Sequence, residues 1–93
     1  MTADGQVRVV LYGRAGCHLC DAARKVVRQV AAESGTRWEE IDVDAAAAHD
    51  GGALRREYGE EVPVVTVDGV PRGFYRIDAD RLRRALAAPP ATS

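Results

Sequence analysis

The chain has 93 residues, 46% hydrophobic and 29% charged, and thirteen Lys+Arg against fourteen Asp+Glu leave a net charge of -1. That length accommodates one small domain and excludes two full ones. The balanced charge argues against a nucleic-acid binder working through a basic surface, and no apolar run approaches the roughly 20 residues of a membrane span.

Residues 1–5 lack a charged segment followed by an apolar one, so no signal peptide is expected and the location is expected to be cytoplasmic. Twelve Arg to one Lys, with sixteen Ala, hint at a GC-rich bacterial genome. Residues 7–12 (Val7, Arg8, Val9, Val10, Leu11, Tyr12) are short, mostly apolar and β-branched, which predicts a buried strand ending at Gly13. From Cys17 to Ser34, the residues Leu19, Ala22, Ala23, Val26, Val27, Val30 and Ala31 recur at spacings of three and four. That is the stripe of an amphipathic helix, and Gly35 is placed to close it. Ile41 and Val43 alternate with Glu40 and Asp42, predicting a second strand over residues 38–43.

Residues 45–48 are alanines, but Gly51 and Gly52 would each weaken a helix by about 1 kcal/mol. Residues 44–52 therefore read as loop or frayed helix, followed by a short helix through Ala53, Leu54, Glu57 and Tyr58 that stops at Gly59. Val64 to Val67 is a strand, Asp68 and Gly69 suit a tight turn needing positive φ at both positions, and Val70 to Tyr75 returns as its partner. Pro71 lacks an N–H and fits an edge strand. Asp78 is an N-cap residue for a last helix bearing Leu82, Ala85 and Leu86, with Ile77 and Leu82 spaced as a hydrophobic staple. Residues 88–93 carry two prolines and no apolar periodicity, so the domain is expected over 1–87 with a disordered tail. The order β-α-β-α-β-β-α is an α/β arrangement. The β-α-β crossover makes two parallel strands, the last two strands form an antiparallel hairpin, and a four-stranded mixed sheet with helices on both faces follows.

The chemistry concentrates in Gly13, Arg14, Ala15, Gly16, Cys17, His18, Leu19 and Cys20, between the first strand and the first helix. Two cysteines are too few for a disulfide scaffold, and this spacing without an export signal points to redox chemistry or metal binding. Cys17 falls at the helix N-terminus, where unpaired amide N–H groups and the positive end of the dipole stabilise a thiolate. Cys20 lies one turn further on the same face, more buried and less ionised. Cys17 would attack a substrate disulfide and Cys20 would resolve the mixed disulfide. The competing reading is half a zinc site. A closed site takes four ligands, and His18 and His49 are poorly placed to complete one, so no metal is expected. Arg14 either stabilises the thiolate or binds a carboxylate of a thiol, or is a solvated loop arginine. His18 either tunes Cys17 or is an exposed ring. Pro63, after Val62, is either a strand-start proline or a cis proline that leaves the Val62 backbone free to pair with substrate.

The run from Leu11 to Cys20, then Val62, Pro63, Val64 and Val65 ahead of an Asp68–Gly69 hairpin, resembles the glutaredoxin-like branch of the thioredoxin superfamily over about residues 7–86. The resemblance implies a thioredoxin fold with Pro63 cis and facing Cys17. It implies dithiol–disulfide exchange with Cys17 as nucleophile and Cys20 as resolving thiol. It further implies that the Val62 backbone pairs with the cysteinyl part of glutathione and that Arg14 helps bind its carboxylate. Two departures stand out. His18 and Leu19 replace the Pro-Tyr usual between the cysteines. Tyr75, Arg76 and Ile77 fill the stretch before Asp78 where glutaredoxins usually carry Gly-Gly; Asp78 either caps its helix or offers that end to a ligand.

The expected function is therefore a monomeric thiol–disulfide oxidoreductase. It would hold no tightly bound cofactor and act on a disulfide-containing protein or a low-molecular-weight disulfide. The electron source would be glutathione, mycothiol or a thioredoxin system. The alternatives are a metal or iron–sulfur cluster binding module, and a thioredoxin-fold adaptor with an inert disulfide.

Overall fold

A computed structural model describes residues 7–87; the expected tail at 88–93 and the start of the domain at residues 1–6 lie outside the described residues. Eight elements follow in order: β1 (Val7–Gly13), α1 (His18–Ser34), β2 (Arg37–Asp42), α2 (Val43–Asp50), α3 (Ala53–Tyr58), β3 (Val64–Val67), β4 (Val70–Phe74) and α4 (Ala79–Ala87). The sheet has four strands in the order β2-β1-β3-β4. β1 pairs parallel with β2 and antiparallel with β3, and β3 pairs antiparallel with β4. The expected mixed sheet is thus present.

Period-two alternation on β1 sorts its side chains. Val9 and Leu11 are fully buried in a cluster with Ala23, Val27 and Val30 of α1, Val65 and Val67 of β3, and Leu82 and Leu86 of α4. Burying each such Val or Leu contributes roughly 1.5–3 kcal/mol, so this layer dominates the stability of the domain. Tyr12 points to the other face, where its ring lies 4.8 Å from that of Tyr58 on α3. Helices therefore cover both faces. β3 is buried along its whole length, as a central strand covered on two sides must be.

The link after β2 departs from expectation. Val43 is not the end of the strand but the first residue of a helix, and residues 44–50, expected as loop or frayed helix, form a capped helix. The Asp42 carboxylate accepts the backbone N–H groups of Asp44 at 2.8 Å and Ala45 at 3.0 Å, satisfying donors that an uncapped start would leave open. The two glycines do not weaken the helix because they stand outside it: Gly51 (φ 69°) and Gly52 (φ 87°) form the left-handed joint between α2 and α3. Asp50 secures that joint by accepting from Gly52 N–H at 2.8 Å and Leu54 N–H at 3.2 Å. The order is accordingly β-α-β-α-α-β-β-α.

The hairpin turn behaves as read, with φ of 53° at Asp68 and 84° at Gly69. The guanidinium of Arg8 forks onto Asp68 at 2.8 and 3.0 Å, fastening the turn to the start of β1. Pro71 sits on β4, an edge strand. That strand stops at Phe74, one residue early, because Tyr75 adopts φ 61° and leaves the extended region. Ile77 packs against the cluster that holds Leu82, where a staple residue belongs.

Candidate active site

The sheet register gathers the candidate residues at one end of the molecule. Gly13 at the end of β1 pairs with Asp42 at the end of β2, and Tyr12 pairs with Val64 at the start of β3. Val64 in turn pairs with Phe74 at the end of β4. The loop carrying Cys17, the start of α2, the Val62–Pro63 segment and Tyr75 therefore all leave the sheet at the same edge.

Cys17 is the N-cap of α1, in extended conformation at φ -91°, and its Sγ accepts the backbone N–H of Cys20 at 3.1 Å. Gly16 (φ 78°) supplies the left-handed step that delivers the chain to that position. The two sulfurs are joined in a disulfide, with Cα atoms 5.1 Å apart. Cys17 is half-buried and Cys20 is 1% exposed, so an incoming sulfur has access to the first and not the second. Gly13 does more than end β1. A Cβ at Gly13 would lie 3.0 Å from Cys20 Sγ, so the missing side chain is the space the inner sulfur occupies.

The Val62–Pro63 peptide bond is cis, and Pro63 is buried. The Val62 backbone makes no hydrogen bond to another described residue, whereas the Pro63 carbonyl accepts Tyr75 N–H at 2.8 Å. Tyr75 also donates its hydroxyl to the Glu60 carbonyl at 3.2 Å. One residue thus clamps both ends of the segment that holds Val62. Its ring, half exposed, borders an apolar groove with Leu19, Ala22, Val26 and Ile77, rimmed by Arg76.

The charged candidates are placed less simply. Arg14 has all three guanidinium nitrogens engaged. Nε and Nη2 fork onto the Asp44 carboxylate at 3.0 and 2.9 Å, and Nη1 donates to the Gly59 carbonyl at 3.0 Å. The hydrogen-bonded guanidinium holds the Asp44 carboxyl below the usual carboxylate range and raises Arg14 in return. The same three contacts tie the Cys17 loop to α2 and to the chain entering Pro63. Gly59 is buried, and a Cβ there would collide with the Arg55 carbonyl, so this anchor point accepts only glycine as it stands. His18 is exposed at the first position of α1 and makes no hydrogen bond or ion pair among the described residues. Asp78 caps α4, accepting from Asp80 N–H at 2.8 Å and Arg81 N–H at 3.3 Å. Among the described residues no three His, Cys, Asp or Glu side chains converge as a metal-ligand set, and no helix is long and apolar enough to cross a membrane.

A four-stranded mixed sheet, a Cys-x-x-Cys pair at the start of α1 and a cis proline ahead of β3 define a glutaredoxin-like protein of the thioredoxin superfamily. Residues 8–87 match the glutaredoxin-like domain family DUF836, and the chain belongs to that family. It is 36% identical over 80 residues to the uncharacterized protein Rv0508 of Mycobacterium tuberculosis, covering 86% of this chain and 82% of that one. Its structure is similar to that of the structural genomics target XcR50 from X. campestris, with TM-score 0.66, 35% identity, and coverage of 87% and 99% of the two chains. A wheat glutaredoxin shares the fold at TM-score 0.53 and 23% identity, covering 75% of this chain and 64% of that one.

Proposed function

We propose that this protein is a thiol–disulfide oxidoreductase that reduces disulfides through Cys17 and Cys20. The observation that carries this reading is the unequal placement of two bonded sulfurs. One caps a helix, accepts an amide N–H and is reachable; the other is buried behind it. A sulfur at such a helix start is a better hydrogen-bond acceptor as a thiolate, so the cap favours ionisation of Cys17. In the reduced protein the Cys17 thiolate attacks a disulfide R–S–S–R, forming Cys17–S–S–R and expelling one thiolate, which takes a proton from solvent. Cys20 gives up its proton and attacks Cys17 Sγ, expelling the second thiolate and closing the intramolecular disulfide. Two electrons pass from the protein to two product thiols, and a thiol reductant restores the dithiol. The Val62 backbone, which makes no hydrogen bond to another described residue, supports the reading, since it offers an extended substrate a place to pair beside the exchange.

The test is a trap. Cys20→Ser, incubated with a small disulfide, should accumulate a mixed disulfide on Cys17 detectable by mass spectrometry. Alkylation of reduced Cys17 should titrate below the ordinary thiol value of about 8.5. An unreactive Cys17 with ordinary titration would replace this reading with an inert structural disulfide.

A further inference from the structure

A guanidinium three residues before a nucleophilic cysteine ordinarily attracts carboxylates, yet here it is not free to do so. Arg14 is forked onto Asp44 and anchored to Gly59. The cleft beside the Cys17 loop is lined by Gly13, Arg14, Ala15, Arg24, Glu40 and Asp42. Its second cation is equally committed, because Arg24 forks onto Glu40 at 2.7 Å through both nitrogens and reaches Asp21 at 2.8 Å. A third cation, Arg55, stands 3.8 Å from Asp44. The cleft itself thus carries two carboxylates (Glu40, Asp42) and two guanidiniums (Arg14, Arg24), and both guanidiniums are already ion-paired. A substrate carboxylate entering here would have either to displace Asp44 from the Nε–Nη2 fork or to share the guanidinium with it through the remaining Nη N–H groups, and in both cases two carboxylates stand side by side.

We propose that Asp44 sets the charge preference of the exchange site: by holding Arg14 it favours disulfides that are uncharged or cationic beside the sulfur over those bearing carboxylates. This rests on the redox reading above and narrows its substrate class. Asp44 acts through Arg14 and so is a specificity-determining residue rather than a catalytic one. Its substitution leaves the start of α2 capped, since Asp42 supplies that cap.

The experiment uses three small disulfides of similar size: cystamine (cationic), bis(2-hydroxyethyl) disulfide (neutral) and dithiodiglycolate (anionic). Pre-reduced protein, freed of reductant, is mixed with each at about pH 8, where an unperturbed histidine is neutral. Loss of alkylatable thiols on the protein itself, counted by mass spectrometry after quenching with an alkylating reagent, gives the single-turnover rate. The readout is the anionic-to-neutral rate ratio, which cancels any loss of folded protein. Asp44→Asn should raise that ratio about twofold to fivefold, the range of an exposed charge interaction, and added salt should shrink the change. In an Arg14→Gln background the same substitution should raise it distinctly less. A flat ratio across wild type and Asp44→Asn, with the neutral disulfide turning over, overturns this inference and leaves the redox reading intact. An equal rise with and without Arg14 also overturns it, since Asp44 would not then act through the arginine. No reaction with any disulfide overturns both.

Discussion

α1 and α4 both begin on a side chain that accepts backbone N–H groups, with a different atom in each. At α4 the acceptor is the Asp78 carboxylate, 2.8 Å from the N–H of Asp80 and 3.3 Å from that of Arg81. At α1 it is Cys17 Sγ, 3.1 Å from the N–H of Cys20. A carboxylate is charged across the physiological range, so the start of α4 is held permanently. A sulfur is a weak acceptor while neutral or bonded to a second sulfur, and a strong one as a thiolate. Helix capping and thiol ionisation are therefore one event at α1 and separate events at α4. Two helix starts capped by side chains thus differ in whether the capping atom can take part in exchange chemistry.

The largest expected effect removes the sulfur cap. Cys17→Ala and Cys17→Asp should both abolish exchange in a single-turnover thiol assay. In chemical denaturation under reducing conditions, however, Cys17→Asp should exceed Cys17→Ala in stability by about 1 kcal/mol, because it restores a carboxylate cap. Equal stabilities would break the analogy between the two helix starts. Gly13→Ala comes next. The added methyl presses on Cys20 Sγ, so denaturant unfolding should show a loss of about 1–3 kcal/mol, and resolution of the mixed disulfide should slow. Asp78→Ala should cost about 1 kcal/mol by the same measurement, the value of an ordinary cap. The smallest effect separates a capping carboxylate from one held by a cation. Arg8 holds the Asp68 carboxyl below its ordinary range, so the pair stabilises the fold at neutral pH and loses that contribution as pH falls through the folded titration of Asp68. Asp68→Asn should therefore lower stability by up to about 1 kcal/mol at neutral pH. The difference from wild type should vanish in strong acid, as read from thermal unfolding across a pH series.

Much of this architecture was legible locally. Of the α1 stripe Leu19, Ala22, Ala23, Val26, Val27, Val30 and Ala31, the structure buries Ala23, Val27, Val30 and Ala31, leaves Leu19 and Val26 half-buried and exposes Ala22. Asp68 and Gly69 predict their own turn. Cys17 could be placed at a helix start, and Cys20 behind it, from the strand-to-helix order alone. The extent of α2 is not legible locally, because Gly51 and Gly52 count against a helix only if they lie inside it. Only the capping geometry of Asp42 and Asp50 shows that they lie between two helices. Asp42 and Asp44 were visible as an acidic pair in the sequence, and nothing local assigned one to the backbone and the other to Arg14.

What the sequence by itself determined are properties carried within a few residues: strand and helix periodicity, turns, caps, and the position of two thiols relative to a helix end. Tertiary structure alone decided which charges are spent. Arg14 finds Asp44 thirty residues away, Arg24 finds Glu40 on a neighbouring strand, and Tyr75 reaches back to Glu60 and Pro63. The physical reason is range. Periodicity and capping act over one helical turn or one strand pair, whereas an ion pair depends on which loops the sheet register brings to the same edge. That register assembled a helix-capping sulfur, a backbone segment with no hydrogen bond to another described residue and an ion-paired arginine at one end of the sheet.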